Sequence, residues 1–210
     1  MILDIHVHTF FSDGLNSPAE MAAQVKKLRL NGFALTDHNT VKGHKAAAEA
    51  AKKLKLVFIP GIEISALEGH IVGLFVKEAI EKNLPAEETV ELIHRQGGIA
   101  IAAHPYGKLR PSVGDAVKNA KFDYIETFNA RAPFPPDNWK AQKIAGELGL
   151  KTTSASDAHS TDEIGYGTVQ VKNLNDFRTG NVKIHRANLT PPWIIACGKF
   201  RRVLRKYGLY

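Results

Sequence analysis

The chain has 210 residues, 44% of them hydrophobic, one cysteine, and a formal net charge of +7 from 28 Lys+Arg against 21 Asp+Glu. That length suits one sizeable core; the lone Cys197 excludes an intramolecular disulfide framework and a C-x-x-C thiolate site, and no run of about 18 apolar residues is present to cross a membrane. A single soluble, cytoplasmic domain is expected, and the basic balance favours anionic partners, with phosphorylated compounds ahead of nucleic acid.

Short apolar runs alternate with stretches of helical periodicity, the pattern of βα units around a parallel sheet, so the fold class is α/β. Ile2–His8 is the first predicted strand and SPAEMAAQVKKLRLNG the first helix; Gly32–Thr36 follows, then VKGHKAAAEAAKKLKL. Val57–Ile64 and His70–Val76 are the third and fourth strands, ahead of PAEETVELIHRQGG and a fifth strand at Ile99–Ala103. A weaker helical stretch, PSVGDAVKNAK, leads to a sixth strand at Tyr124–Phe128, then PDNWKAQKIAGELGL and a seventh strand at Lys151–Ser156. Several helices open at Ser or Pro and close at Gly, as helix boundaries do. Beyond Ser160 the pattern fades into GTVQV, a candidate last strand, and a basic tail that culminates in GKFRRVLRKYG. The tail reads as a solvated basic helix end that need not border any site. No repeat or Gly/Ser/Pro-rich linker divides the chain, so residues 1–190 are expected to form one domain and 191–210 a basic appendage.

Metal-competent residues gather where these strands finish. The first ends in HVHT, with Asp13 in the loop beyond. The second runs into TDHNT with His38, the third into GIEIS with Glu63, the fifth into AHP with His104, and the seventh into SASDAHS with Asp157 and His159. The fourth departs from the pattern, because His70 opens it. Barrel-type α/β enzymes build their sites at such strand ends. Residues i and i+2 of a strand share a face, so His6 with His8, and Asp157 with His159, can reach one centre. A single strand-end His is more often structural and an Asp before Gly more often a turn former; nine positions agreeing is what points to a metal centre. Mixed nitrogen and oxygen donors suit Zn²⁺, Mn²⁺ or Fe rather than Ca²⁺. His44, His94 and His185 fall elsewhere and are expected at the surface.

The motifs DIHVHT, SDG, TDHNT, GIEIS, AHP and SDAH resemble, in order from residue 4 to 159, those of the polymerase and histidinol phosphatase (PHP) superfamily of metal-dependent phosphoesterases. The resemblance implies a distorted (β/α)7 TIM-like barrel and two to three divalent ions. The first would be held by His6, His8, Glu63 and Asp157, the second by Glu63, His70 and His104, and the third by Asp13, His38 and His159. Histidinol phosphatases tend to carry His where Asp13 stands, so SDG is more similar to the small stand-alone phosphoesterases.

Paired cations activate a water to hydroxide at neutral pH and clamp the oxygens of an in-line displacement, which removes the need for a Ser or Cys nucleophile. Arg131, in ETFNARAP, is the first candidate for phosphate contact through its guanidinium fork, ahead of Lys108 and Arg110. Proton delivery to the leaving oxygen is assigned to bound water, His159 or Asp157, while Asp37, Glu126 and Asn129 are expected to hydrogen-bond and orient rather than ligate. The expected activity is hydrolysis of a phosphate ester of a small metabolite or nucleotide. The alternative is a PHP-type 3′-5′ exonuclease, disfavoured because no stretch interleaves basic and aromatic residues; histidinol phosphatase and a non-catalytic PHP scaffold rank below it.

Overall fold

The computed structural model of the protein describes residues 1–208, so the last two residues of the expected 191–210 appendage lie outside the described residues. Nine strands form one sheet in the order β7-β6-β5-β4-β3-β2-β1-β8-β9. They are β1 (Ile2–Val7), β2 (Gly32–Leu35), β3 (Val57–Ser65), β4 (His70–Leu74), β5 (Ile99–Ala102), β6 (Tyr124–Asn129), β7 (Lys151–Ala155), β8 (Gly167–Gln170) and β9 (Lys183–Ala187). The helices are α1 (Pro18–Lys27), α2 (His44–Leu54), α3 (Ala86–Arg95), α4 (Pro135–Leu148), the single turn α5 (Asp176–Thr179) and α6 (Pro192–Lys206). None of the described helices is long and apolar enough to cross a membrane.

The sheet curls into a nearly closed barrel. Its seam is sealed at one end by the chain just past β7: His8 N donates to Ala158 O at 2.8 Å and Ala158 N to His6 O at 3.2 Å. At the other end β8 and β9 fill the gap, with Ser154 Oγ donating to Arg186 O at 2.7 Å. Leu3, Ile5, Val72, Ile101 and Tyr124 form one apolar cluster across the strands. Two others lie between sheet and helices, one around α1 and α2 and one around α3 and α4.

The expected parallel sheet is corrected at β8, which runs antiparallel to β1 and β9, and at β4, which runs antiparallel to both β3 and β5. A parallel crossover needs a dozen or more residues, whereas only Ala66–Gly69 separates β3 from β4, and Ala66 N donates to Gly69 O at 2.9 Å to close a hairpin. The reversal also explains His70: β4 starts at the end where its neighbours finish, so its first residue sits level with their last. PSVGDAVKNAK forms a short 3₁₀ turn at Gly114–Lys118 rather than an outer helix, and it opens on Gly114 at φ +54°. GTVQV supplies β8, and the basic tail is the helix α6.

Local chemistry fixes the loops that matter. Ser17 caps α1 in a reciprocal box with Glu20, Glu20 N to Ser17 Oγ at 3.2 Å and Ser17 N to Glu20 Oε2 at 2.7 Å. In β1 the register against β2 slips between Asp4 and Val7. Leu3, before the slip, and Ile5, within it, join the cross-barrel cluster, Val7 packs among residues of α1, and His6 and His8 turn toward Glu63 and Asp157.

Candidate metal centre

All nine metal-competent side chains named from the sequence meet at one end of the barrel, where all but His6 and His8 line a cavity of about 270 Å³ and those two lie against Glu63. Glu63 is the hub. Its Oε1 lies 3.0 Å from His70 Nδ1 and 3.1 Å from His104 Nε2, and its Oε2 lies 3.1 Å from His8 Nε2, 3.2 Å from His38 Nδ1 and 3.3 Å from His6 Nε2. Asp157 Oδ1 stands 3.3 Å from His8 Nε2 and 3.7 Å from His6 Nε2. Toward solvent, Asp13 Oδ1 faces His159 Nε2 at 3.1 Å and His38 Nε2 at 3.8 Å. Backbone pairing sets this convergence: a bridge joins His38 to Glu63, and Asn39 N donates to Glu63 O at 2.8 Å.

These atoms group as a metal would require. His6, His8 and Asp157 form one set, His38, Glu63 and His70 a second, and His8, Asp13, His38 and His159 a third, with the donor atoms of each within 4.8 Å of one another. Two ligands on one tetrahedral Zn²⁺ at ordinary bond lengths stand about 3.3 Å apart, the separation seen here. His6 Nε2, His8 Nε2 and His38 Nδ1 are buried without a hydrogen-bond partner, an expensive state for polar atoms unless their lone pairs serve a cation. The residues present therefore fit a divalent metal centre.

A second layer holds the first. Glu126 Oε1 lies 3.0 Å from His6 Nδ1, and its Oε2 accepts from His104 N at 2.8 Å and Asn129 Nδ2 at 2.9 Å. Asn129 Nδ2 also reaches Asp157 Oδ2 at 3.2 Å. Asp37 serves the loop instead: its carboxylate accepts from Thr9 N at 2.6 Å, Thr9 Oγ1 at 2.6 Å and Ser12 Oγ at 2.7 Å, fixing the loop that carries Asp13. His104 and Asp157 both adopt left-handed backbone conformations, φ +30° and +54°, and such strain in non-glycine residues clusters at functional sites. Ser112 Oγ clips the first of them by donating to His104 O at 2.9 Å.

The electrostatics follow from packing carboxylates among imidazoles. Burial raises Glu63 and Asp157, but His38 and His6 around the first, and His6, His8 and Arg110 around the second, hold both well below the usual carboxylate range. Burial lowers His8, yet Asp157 and Glu63 outweigh it and push it up to about 9. His159 goes the other way: burial, reinforced by the charge of His8, brings it down to about 4 despite Asp13.

A family model described as "PHP domain" matches residues 4–152. The chain belongs to that family. A second model, "PHP-associated", matches residues 135–179 of this PHP protein. It is 37% identical over 141 residues to an uncharacterised protein of Methanocaldococcus jannaschii, covering 62% of this chain and 82% of that one. It is 41% identical over 164 residues to the 5′-3′ exoribonuclease Rnm of Salmonella typhimurium, covering 71% of this chain and 56% of that protein. A two-domain Bacteroides vulgatus protein containing a predicted PHP-like metal-dependent phosphoesterase shares the fold, with TM-score 0.72, 19% identity and coverage of 89% of this chain and 65% of that one.

The remaining residues named from the sequence fall as follows in the PHP protein. Arg110, ranked below Arg131, binds Asp157 Oδ2 through Nη1 at 2.5 Å and Arg131 O through Nη2 at 2.7 Å. Arg131 is buried, ion-paired through Nε to Glu163 Oε2 at 2.9 Å, and touches His159 Nδ1 with Nη1. Lys108 is exposed and absent from the cavity lining. His94 and His185 lie outside the cluster, on Asp123 and Thr168. His44 is half-buried rather than superficial, with Nε2 at 2.7 Å from Gly61 O. Sequence reasoning missed Glu163, for which no motif signals, and read the basic tail as a solvated helix end that need not border a site; Lys199 lines the cavity and Arg202 reaches Asp13.

Proposed function

We propose that this PHP-family metal-dependent phosphoesterase hydrolyses a terminal phosphate ester of a small phosphorylated metabolite or a nucleotide. The observation that carries the reading is the pairing of a convergent His/Asp/Glu wall with cationic side chains around one small cavity. Two to three ions, Zn²⁺, Mn²⁺ or Fe, suit the donor set: one on His6, His8, Glu63 and Asp157, one on Glu63, His70 and His104, and one on Asp13, His38 and His159. Bound there, they supply an activated water at neutral pH and neutralise the transferring phosphoryl group. Residues 1–190 would be the PHP domain and 191–210 its appendage.

The chain's own residues position and exclude. Arg110 and Arg131 line the cavity and are fixed there by Asp157 and Glu163, so the N–H groups those partners leave unused are held in place for phosphate oxygens. Lys199 lines the same cavity with no carboxylate partner among the described residues, which leaves its ammonium for a substrate oxyanion. His159, brought down to about 4, and Asp157, held well below the usual carboxylate range, carry no proton to donate at neutral pH. Both act as ligands in this reading, and the leaving oxygen takes its proton from water.

A nucleic-acid 5′ end is the second reading, favoured by the similarity to the Salmonella exoribonuclease and by the cations of α6 beside the cavity. Protein reconstituted with Mn²⁺, Zn²⁺ or Mg²⁺ and assayed on phosphomonoesters, mononucleotides, 3′,5′-bisphosphates and short oligoribonucleotides separates the two. Turnover of a small ester is expected, with His6→Ala and Asp157→Ala each losing more than about 100-fold, beyond what outer-shell changes cost. Turnover confined to oligoribonucleotides would transfer the proposal to the second reading, and wild-type turnover by Asp157→Ala would remove the metal centre from the chemistry.

A further inference from the structure

We infer that Arg202, on α6, is a positioning residue for Asp13 and thereby sets the affinity of the outermost cation site; the inference rests on the metal-centre reading above. Positions 198, 201, 202 and 205 share one face of a helix. In the structure that face grips the two segments that carry the outer ligands. Gly198 is buried where a Cβ would stand 3.3 Å from Glu163 Oε1 and 3.7 Å from Ser160 Oγ, beside His159. Arg201 Nη1 pairs with Asp162 Oδ2 at 3.2 Å, and Arg205 donates to Leu15 O.

Arg202 acts on the ligand itself. Its Nη1 donates to Asp13 O at 2.6 Å and to Asp13 Oδ2 at 2.8 Å, while Asp13 Oδ1 is the oxygen that faces His159 and His38. The two carboxylate oxygens are thus divided, one toward the imidazoles and one held from outside, the arrangement by which hydrogen-bonded carboxylates are oriented on metals. Asp13 gains from such a hold because its side chain is 45% exposed and only its Oδ1 meets the imidazoles. The guanidinium charge opposes a cation, but at a half-exposed position that repulsion is strongly screened, so orientation prevails. The matched family segments end at residue 179, so this brace comes from a part of the chain the family models do not cover.

The test is titration of the metal-free full chain with Mn²⁺, read as bound equivalents and affinities by equilibrium dialysis and calorimetry. Wild type, Arg202→Ala, Arg202→Lys, Arg201→Ala and Asp13→Asn are compared, each checked for folding by its melting curve. Arg202→Ala is expected to weaken, by about 10- to 100-fold, the site that Asp13→Asn also weakens, Arg202→Lys to restore part of that, and Arg201→Ala, which disturbs the helix but not Asp13, to leave it near wild type. In the Asp13→Asn background, Arg202→Ala should cost nothing more. Equal or tighter binding by folded Arg202→Ala, or an equal loss from Arg201→Ala, would overturn the positioning role while leaving the metal centre standing. A wild type that takes up no metal would overturn both.

Discussion

Glu126 and His6 face each other through Oε1 and Nδ1 at 3.0 Å, both buried. That contact holds the ring so that Nε2 points toward Glu63 and Asp157. A carboxylate behind a ligating imidazole fixes its tautomer and raises its basicity. Glu126→Gln keeps the shape and removes the charge, so Mn²⁺ affinity should fall by about 10- to 100-fold with little change in the melting temperature of the metal-free protein. Metal titration paired with a melting curve checks this, and unchanged affinity would deny Glu126 its orienting part.

Arg110 and Asp157 give a prediction in stability. Asp157 is buried and Arg110 is 19% exposed, so Arg110→Ala leaves a carboxylate without its guanidinium, at a cost of about 1–3 kcal/mol. A cation bound at Asp157 supplies the missing charge. Arg110→Ala should therefore lower the melting temperature of the metal-free protein more than that of the Mn²⁺-loaded protein. Equal losses in the two states would mean that the pair acts independently of the metal centre.

Lys199 is expected to behave as a binding group. An exposed ammonium contacting a phosphate in ground state and transition state alike raises KM when removed and spares kcat. Lys199→Ala should raise KM about 3- to 10-fold with kcat within about 2-fold, and the effect should shrink in high salt because the contact is screened. A fall in kcat with constant KM would place Lys199 in the chemistry.

The convergence of the inner side chains was readable from sequence because it obeys the two-residue period of a strand: His6 with His8 and Asp157 with His159 needed only an extended backbone to share a face. Glu63, His38 and His104 were readable as the last polar residues of apolar runs. The direction of β4 was also within reach, since the four residues between GIEIS and His70 are too few for a crossover. Other features were hidden because they depend on tertiary placement. Nothing local says that Asp37 anchors the Thr9–Ser12 loop, that Glu163 holds Arg131, or that the face of α6 carrying Gly198, Arg202 and Arg205 packs on the Asp13 loop rather than facing water.

Gly14, in the SDG turn, is set by close approach. A Cβ there would stand 2.6 Å from His8 O and 2.7 Å from Thr9 Cα, and backbone at that distance has no room to yield. Gly14→Ala should push the loop away from the end of β1, costing about 1–3 kcal/mol as other overpacked sites do, and carry Asp13 out of reach of His159. A lowered melting temperature together with loss of the Mn²⁺ site that includes Asp13 is expected. Loss of stability with that site intact would separate the turn from the ligand.

His8 yields the pH dependence. Burial lowers it, but Asp157 and Glu63 push it up to about 9 in the metal-free protein. His6 is likewise raised well above its usual value, with Glu63, Asp157 and Glu126 prevailing over burial. A cation takes only the neutral imidazole, so binding at neutral pH expels these protons, and apparent affinity should rise about tenfold per pH unit for each proton expelled. Metal-free stability runs the opposite way. The folded value of His8 exceeds its ordinary 6.5, so its contribution is full below that pH and is lost as pH climbs through about 9. Calorimetry at pH 7 in two buffers of different ionisation enthalpy should count one to two protons released per His6/His8 ion. Melting curves from pH 6.5 upward should fall for the metal-free protein while the gap to the Mn²⁺-loaded protein widens. No proton release, or an affinity flat between pH 6 and 8, would show that His6 and His8 are not protonated in the metal-free protein or do not take the metal.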